Sequence, residues 1–509
     1  MYTCMTCQCF PDVSIAVVYG LNVTWIQSLS MSIDLSLDRL QRAILHLPLY
    51  TRPTCHIAGT NGKGSVTAII SSILRSASPP LKLGRYNSPH LISVIDCITI
   101  NDEPIDAEFY SSVRGLIERV DDELGTRLSN FELLTLTALQ IFERIGVDVA
   151  VVEVGMGGRL DATNIIPDEA ILVSALTNVD LDHQAFLGNT ISVIAREKTG
   201  IARSGKPFVL GHNNHQEVVD VVKAMLLEKE SVLEPPVVVR RVSGAELSKV
   251  SFRTVSFQPP KENQVSFHLP TFNEDVTAVL PLHGTHQVEN LATALSILSV
   301  LLTKENPLRS MLLGRLSPLA VKRGIESVHW RGRLSFHSIS TPQPLSVLVD
   351  GAHNSASARA LASYVKTTLS QSIDPIVDLV YIIALSHSPP KTPSEVLSPL
   401  LSPDHSGSHD RIRLHVALLD FSPPDHMPWV KAIAPVELAK VVQDLIPDID
   451  YWVADPARIP GTQLSDAISW AAERIGDSGL VVIAGSLYLV ADFYRVYMWI
   501  VLNMSAVHD

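Results

Sequence analysis

The chain has 509 residues, of which 46% are hydrophobic and 18% are charged. This composition excludes a disordered or fibrous protein, and the length is sufficient for about two to four globular domains. The 40 basic and 52 acidic residues give a net charge of −12, which disfavours a broad cationic surface for nucleic acid or anionic lipid.

The N-terminal residues predict an extension without a targeting signal. Cys4, Cys7 and Cys9 lie close together in the sequence, but no second pair of ligands is spaced nearby for a zinc site. Lys and Arg are absent before Arg39, so neither a secretory signal nor a mitochondrial transit peptide fits. We therefore expect residues 1–30 to be an unstructured extension, with Met31 as the alternative first residue. The protein is expected to be cytoplasmic, with a mitochondrial location as the alternative.

A strand, a glycine-rich turn and a helix are predicted next. Thr54 to Ala58 form a short apolar run, and an apolar pattern with helical spacing begins at Val66. The turn between them, residues 59–65, reads GTNGKGS. Its glycines allow backbone N–H groups to face phosphate oxygens, and Lys63 supplies a positive charge at the start of the helix. We call residues 59–65 the phosphate cradle; they differ from the common P-loop because Gly64 separates Lys63 from Ser65.

Two further apolar runs, residues 147–154 and 170–179, predict strands of a parallel sheet that helices cover on both faces. Glu153 lies at the end of the first run and His183 follows the second, so both are expected at the same sheet edge as the cradle. A carboxylate at that edge suits Mg²⁺ beside a triphosphate. Taken alone, a histidine such as His183 is more often structural, and a helix lysine such as Lys198 is more often solvated.

The rest of the chain predicts a β-rich excursion and a second domain. Short alternating pieces between prolines at 230–282 indicate a β-rich excursion within the first domain. After residue 326, apolar runs alternate with helix-length segments and predict a doubly wound α/β domain. These runs are residues 345–349, 377–385, 412–419, 449–454 and 480–484. Residues 386–410, rich in Ser, Pro and His, predict a surface connection.

Polar residues also lie on both sides of the predicted domain boundary. Asn290 opens a helix before it, while Arg333 and Asp350 lie at the start of the second domain. Such clusters suggest a nucleotide between the domains, with Arg333 on a phosphate and Asp350 on a ribose hydroxyl. A hinge contact is the alternative for each residue.

Taken together, the motifs resemble the folate branch of the Mur ligase superfamily, the dihydrofolate synthases and folylpolyglutamate synthases. In order, they are GTNGKGS, SPHL, VEVGMGGRLDATN, LDH, EKTGI, HQVEN, WRGR and DGAHN. The resemblance implies an α/β fold with a P-loop-type central ATPase domain at 31–326 and a Rossmann-like C-terminal domain at 327–509. It also implies an enzyme that uses ATP to convert a carboxylate into an acyl phosphate, which the amine of glutamate attacks.

The resemblance assigns roles residue by residue. It implies that the nucleotide is held by Gly62, Lys63, Gly64, Ser65, Asn290, Arg333 and Asp350. It implies that two Mg²⁺ ions are ligated by Ser88, Glu153, His183 and Lys198, the last resembling a family lysine that CO₂ converts into a carbamate. Lys63, His183 and Lys198 would be the catalytic residues.

The same resemblance points to a pterin site. It implies that the pterin is contacted by Phe131, Glu132, Leu133, Leu134, Leu160, Asp161 and Ala162. For Phe131, a core aromatic of a helix is the alternative.

The sequence after SPHL favours one member of the branch. Residues 95–101, IDCITIN, resemble fungal-type dihydrofolate synthases more than folylpolyglutamate synthases. We therefore expect 7,8-dihydropteroate as acceptor and dihydrofolate as product. A folylpolyglutamate synthase that extends tetrahydrofolate, a bifunctional enzyme, and a catalytically silent nucleotide-binding protein are the alternatives. The expected partners are small molecules only, with no nucleic acid and no membrane, and the protein is expected to be a monomer.

Overall fold

The computed structural model describes residues 36–242, 249–253, 257–340, 344–402, 412–424, 427 and 430–505. The predictions for residues 1–30, including Cys4, Cys7 and Cys9, lie outside these residues. Within the described ranges, no helix combines the length and the apolar character that crossing a membrane requires.

An eight-stranded sheet organises the first half of the described chain, which we call the first lobe. Its strands are β1 (Thr54–Ala58), β2 (Leu83–Tyr86), β3 (Ile98–Ile100), β4 (Glu103–Pro104), β5 (Val149–Glu153), β6 (Ile171–Leu176), β7 (Pro207–Leu210) and β8 (Val232–Leu233). The spatial order is β4-β3-β2-β5-β1-β6-β7-β8. The predicted parallel sheet is confirmed for six neighbouring strands, β2-β5-β1-β6-β7-β8. Strands β3 and β4 add an antiparallel edge beside β2.

Helices cover both faces of this sheet. They are α1 (Asp38–Ile44), α2 (Lys63–Arg75), α3 (Ala107–Leu124), α4 (Asn130–Ile145), α5 (Gln184–Leu187), α6 (Ile191–Thr199), α7 (Gln216–Glu228), α8 (Thr285–Thr303), α9 (Arg309–Arg315) and α10 (Pro318–Glu326). Every residue of β1, β5 and β6 is buried. Successive side chains of a strand point to opposite faces, so β5 and β6 contribute to one core with α2 and α8 and to another with α4, while β1 contributes to the first of these.

A small antiparallel sheet confirms the β-rich character of the excursion. It consists of β9 (Val239–Arg241), β10 (Asn263–Phe267) and β11 (Val276–Leu280). The prediction that the whole excursion stays with the first domain is wrong for residues 250–253. Phe252 is fully buried in a hydrophobic core that residues after 326 build, and its carbonyl accepts a hydrogen bond of 3.0 Å from the amide of Gly479.

A six-stranded sheet organises the second half of the described chain, the second lobe. Its strands are β12 (Ser335–Ser340), β13 (Pro344–Val349), β14 (Val377–Ile383), β15 (Ile412–Leu418), β16 (Asp450–Val453) and β17 (Gly479–Ala484), in the order β12-β13-β17-β14-β15-β16. All five predicted runs are confirmed as strands. The antiparallel edge strand β12 was missed because its sequence, SFHSIS, contains no continuous apolar run.

The helices of the second lobe are α11 (Ser355–Ser370), α12 (Pro393–Leu401), α13 (Pro435–Leu445), α14 (Pro460–Arg474) and α15 (Leu487–Ser505). Helix α12 corrects the prediction that residues 386–410 are only a surface connection. Its Val396, Leu397, Leu400 and Leu401 are buried in the core. These residues recur at helical spacing, which the average polarity of the stretch concealed. The domain boundary predicted at residue 326 stays a prediction.

Candidate active site

The phosphate cradle connects β1 to α2, as predicted. Gly62 has a φ of 91°, and a β-carbon there would lie 2.3 Å from Oδ1 of Asn290, so both the backbone and the neighbouring side chain require glycine. The same contact places Asn290, near the start of α8, against the cradle. Because α2 begins at Lys63 without a side-chain cap, its first N–H groups point to a site suited to an anion.

Glu153, at the end of β5, lies beside the cradle. Its Oε1 is 3.9 Å from the ammonium of Lys63, and its Oε2 accepts a hydrogen bond of 2.6 Å from Nδ2 of Asn87. Burial raises the pKa of the Glu153 carboxyl, while the charge of Lys63 and the hydrogen bond from Asn87 oppose that rise. The carboxylate is therefore held in place but not neutralised by a close ion pair.

Ser88 and Glu153 fit the donor set of a magnesium site. The Oγ of Ser88 is buried and finds no hydrogen-bond partner among the described residues. A hydroxyl and a carboxylate are hard oxygen ligands, and Mg²⁺ commonly takes one or two protein ligands together with phosphate oxygens and water. The described residues include no group of three or more His, Cys, Asp and Glu side chains arranged around a common metal position.

Lys198, near the end of α6, is buried beneath the cradle. Its side chain is 2% exposed, and Nζ donates a hydrogen bond of 2.9 Å to the carbonyl of Gly59. Burial, with the nearby charge of Lys63, lowers the pKa of Lys198 to about 7. The alternative of a solvated helix lysine is therefore wrong. A large fraction of this amine is neutral near pH 7, and only the neutral form can react with an electrophile.

His183 immediately precedes α5 with a φ of 50°. Burial lowers the pKa of His183 to about 4, and the charges of Lys198 and Lys63 contribute in the same direction. The imidazole is therefore neutral at pH 7 and keeps a lone pair free for a metal or a proton. Lys63 and Lys198 both donate to the carbonyl of Gly59, at 3.1 Å and 2.9 Å, and the charges of both lower the pKa of His183.

Asp182 joins the two lobes at this site, and the sequence reasoning gave it no role. Its Oδ2 accepts a hydrogen bond of 3.1 Å from Nδ2 of Asn354, and its Oδ1 lies 3.3 Å from the ammonium of Lys391. Burial alone would raise the pKa of Asp182, but His353, His183 and Lys391 hold it well below the ordinary value.

Two of the residues that sequence reasoning passed over lie in motifs that it had already singled out. Asp182 belongs to LDH and Asn354 to DGAHN, and a search for polar pairs between strand ends could have found them. Asn87 directly precedes SPHL and holds Glu153, so its position at the end of β2 was the available signal.

Two of the predicted nucleotide residues, Arg333 and Asp350, belong to the second lobe. The carboxylate of Asp350 accepts hydrogen bonds of 2.8 Å from the amides of Leu334 and Ala352. Burial raises the pKa of Asp350, and the charge of Arg333 opposes that rise. The charge of Arg333 also lowers the pKa of Glu153, and its Nη1 donates a hydrogen bond of 2.9 Å to the carbonyl of Gly332. The two backbone bonds of Asp350 agree with the hinge alternative.

The segments predicted to contact the pterin are mostly occupied by contacts within the protein. Glu132 accepts the amide of Ser129 in a capping box and pairs with Arg39 at 3.0 Å. Asp161 accepts the amide of Met156 at 2.8 Å, together with the amide and hydroxyl of Thr163. Buried positions in the same segments are Leu133, Leu134 and Ala162.

Phe131 and Leu160 are the two residues of these segments that remain partly exposed. The ring of Phe131 packs closely on Gly155: a β-carbon on Gly155 would lie 2.3 Å from Cζ of Phe131. The same ring stacks on Tyr86 with a centroid distance of 6.5 Å. Phe131 therefore borders both the core and the loop after β5.

A cavity of about 380 Å³ extends from Asp182 and His183 between the lobes. Its lining includes two cations, Arg359 and Lys391, and two apolar residues, Phe186 and Pro389. A larger hollow of about 450 Å³ lies near Arg203 and Lys229. In that hollow, Arg203 pairs with Asp168 at 2.6 Å and Lys229 donates a hydrogen bond of 3.0 Å to the carbonyl of Gly200.

Comparison with known proteins agrees with this geometry. The family described as Mur ligase middle domain matches residues 57–298, and the family described as dihydrofolate synthetase, C-terminal domain, matches residues 333–496. The dihydrofolate synthetase of Saccharomyces cerevisiae is 32% identical over 475 residues, which cover 92% of this chain and 99% of that protein.

Solved structures show the same fold. A Mycobacterium tuberculosis folylpolyglutamate synthase complexed with ADP and AMPPCP is 27% identical with a TM-score of 0.69, covering 91% of this chain and 95% of that one. A bifunctional folylpolyglutamate synthase/dihydrofolate synthase with Mn, AMPPNP and L-glutamate bound is 25% identical with a TM-score of 0.66. That match covers 91% of this chain and 94% of the other.

Proposed function

This chain belongs to the Mur ligase family, in its dihydrofolate synthetase group, and on that premise we propose how its residues carry out the reaction. The protein is an ATP-dependent ligase that forms a C–N bond. It joins L-glutamate to 7,8-dihydropteroate through an acyl phosphate and releases dihydrofolate, ADP and phosphate. The observation that carries this choice of acceptor is the match of the second lobe to the C-terminal domain of dihydrofolate synthetases.

The phosphate cradle supplies the charge that the first step needs. A free carboxylate is a poor acyl donor, so the terminal phosphoryl group of ATP is transferred to it and becomes a leaving group. Lys63, with the N–H groups at the start of α2, neutralises charge on the transferring group. Gly62, Gly64 and Ser65 hold the phosphates, and Asn290, Arg333 and Asp350 hold the rest of the nucleotide.

A divalent metal is the proposed cofactor. When bound, Mg²⁺ offsets negative charge on the phosphates and on the phosphoryl group in transfer. We assign two ions, with Ser88, Glu153 and His183 as ligands. The buried and unpartnered Oγ of Ser88 and the oriented carboxylate of Glu153 support this assignment.

Carbamylation of Lys198 is part of the proposal. The lowered pKa of Lys198 and its burial beside Gly59 favour reaction of the neutral amine with CO₂, which would turn a cation into an oxygen ligand. We expect ¹³C-bicarbonate to give a carbamate carbon signal in the parent protein that Lys198→Ala removes. Lys198→Ala should also lose activity that added bicarbonate does not restore, whereas the exposed Lys223→Ala should keep both. A Lys198→Ala variant as active as the parent would contradict the carbamate.

Glutamate is proposed to occupy the cavity of about 380 Å³ between the lobes. Arg359, 4.0 Å from Asp180, and Lys391, 3.3 Å from Asp182, supply two cations for the two carboxylates of glutamate, which would compete with these aspartates. The amine would then face the acyl phosphate beside His183. Phe131 and Leu160, the partly exposed residues of their segments, are proposed to face the pterin.

An assay with two acceptors tests the function. The protein is incubated with ATP, Mg²⁺ and labelled glutamate, with dihydropteroate in one reaction and tetrahydrofolate in the other. We expect labelled product with dihydropteroate only. Product with tetrahydrofolate only would replace this proposal by a folylpolyglutamate synthase, and product in both would show a bifunctional enzyme. ATP binding without ADP formation in either reaction would show a silent nucleotide-binding protein.

Three further properties are proposed from the sequence. Residues 31–326 and 327–509 are proposed as the two domains. Residues 250–253 belong to the first in sequence but pack in the core of the second. The protein is proposed to act as a monomer in the cytoplasm.

A further inference from the structure

Trp330 lies on the segment that joins the lobes, and its indole packs directly on the phosphate cradle. A β-carbon on Gly64 would lie 2.7 Å from Cζ2 of Trp330 and 3.2 Å from its Nε1. Gly64 is in the first turn of α2 and does not have a positive φ, so its backbone conformation is open to any residue. The close approach of Trp330 is therefore the feature within this protein that requires a glycine at position 64.

The indole is held in place by a second contact in the first lobe. The guanidinium of Arg85 lies 5.0 Å from the ring centroid of Trp330, a cation–π arrangement. Arg85 is itself fixed, because it pairs with Asp102 at 3.3 Å and its Nε donates to Thr99 at 3.4 Å. Trp330 thus contacts groups that belong to the first lobe and move with it.

The residues that follow Trp330 are fixed to the second lobe. The amide of Gly332 donates a hydrogen bond of 3.0 Å to the hydroxyl of Tyr494, and the amide of Leu334 donates to Asp350 at 2.8 Å. Arg333 lies between these two anchors. Within five residues, the chain is therefore attached to the cradle at one end and to the second lobe at the other.

We propose that Trp330 is a positioning residue that sets the distance between the phosphate cradle and Arg333. Gly64 is a glycine because the indole edge occupies the place of a side chain, which accounts for the separation of Lys63 from Ser65. The inference rests on the proposed nucleotide site. Trp330 acts on catalysis through the position of Arg333, not through contact with the reacting atoms.

A double-mutant cycle tests this proposal, with ADP affinity measured by titration calorimetry and ATP kinetics measured beside it. The variants are Gly64→Ala, Trp330→Phe and both together. Phenylalanine keeps an aromatic ring for Arg85 but lacks the indole edge that meets Gly64. We expect Gly64→Ala alone to weaken ADP binding about tenfold or more and to weaken it by less than about twofold in the Trp330→Phe background. If Gly64→Ala alone does not fold but the double variant with Trp330→Phe does, that result would also support the proposal.

An equal effect of Gly64→Ala in both backgrounds would overturn the proposal, because the glycine would then be needed by the phosphate itself. Trp330→Phe alone should raise KM for ATP several-fold with little change in kcat or in the unfolding temperature. A lower unfolding temperature with an unchanged KM would show a purely structural role and overturn it as well. Absence of ADP binding by the parent protein would instead refute the proposed function, since the cycle does not depend on the acceptor.

Discussion

Two polar regions of the first lobe use their buried groups in opposite ways. Around the phosphate cradle, Ser88 Oγ has no partner among the described residues. The ammonium of Lys63 donates to the carbonyls of Gly59 and Thr60 at 3.1 Å and 3.4 Å but lies 3.9 Å from the carboxylate of Glu153, so its charge is not neutralised by a close ion pair. In the segments around Glu132 and Asp161, by contrast, each carboxylate is bound by groups of the protein itself. The first region therefore has polar groups that a ligand could still bind, whereas the carboxylates of the second region are already bonded within the protein.

This difference distinguishes residues that bind a ligand from residues that stabilise the local fold. An unpartnered polar atom in a buried site costs free energy unless a ligand completes it, so its presence points to a ligand. A carboxylate with all its partners in the protein stabilises the local fold and has little left to offer a substrate. Four substitutions test the difference, from the largest expected effect to the smallest.

Lys63→Ala should show the largest effect. Loss of a preorganised positive charge should cost about 3 kcal/mol of transition-state stabilisation, roughly two orders of magnitude in kcat, with an unchanged unfolding temperature. Steady-state ADP release and a thermal unfolding scan measure the two quantities. Lys223→Ala, at an exposed position of α7, is the control. Turnover within a few-fold of the parent would mean that the cradle does not hold phosphate.

Asp161→Ala should act on stability. It leaves the amides of Met156 and Thr163 without an acceptor, and we expect the free energy of unfolding to fall by about 2 kcal/mol. Urea denaturation measures this, with the exposed Asp477→Ala as control. If stability were unchanged and KM for dihydropteroate rose instead, Asp161 would belong with the binding residues and the comparison would fail.

Ser88→Ala should leave stability intact and change the metal requirement. We expect the Mg²⁺ concentration for half-maximal activity to rise about tenfold, equivalent to about 1.4 kcal/mol. A Mg²⁺ titration of the initial rate measures the shift, and Ser370→Ala on the surface of α11 is the control. An unchanged Mg²⁺ dependence would remove Ser88 from the metal site.

Glu132→Gln should have the smallest effect. Glutamine keeps an acceptor for the amide of Ser129 but loses the ion pair with Arg39, so stability should fall by less than about 1 kcal/mol. KM for dihydropteroate should not change. A large rise in that KM with normal stability would show that Glu132 contacts the pterin after all.

The sequence could predict the elements whose signal is local. The fully buried strands β1, β5 and β6 appear as continuous apolar runs, and the cradle appears as glycines and a lysine between a strand and a helix. Because parallel strands end at one edge, the order of the residues along the chain was enough to place Glu153 and His183 beside the cradle.

The rest depends on contacts between residues far apart in sequence. Burial of Lys198 beneath Gly59 turns an ordinary helix lysine into one with a pKa of about 7, which neither composition nor spacing around residue 198 indicates; the family resemblance alone singled this lysine out. Asn354, whose side chain binds Asp182, lies 172 residues downstream. The burial of α12 is hidden because its apolar side chains recur at helical spacing within a stretch that is polar on average, and that of residues 250–253 because their packing partners lie after residue 326.

Residues 250–253 also govern what happens if the chain is divided. A cut at the predicted boundary near residue 326 would leave Phe252 on one fragment and its packing partners on the other. The amino-terminal piece would carry an uncovered aromatic residue, and the carboxyl-terminal piece would lack the carbonyl that bonds to Gly479. Expression of the halves as separate polypeptides should therefore yield poorly soluble products, while the intact chain should melt in a single cooperative transition.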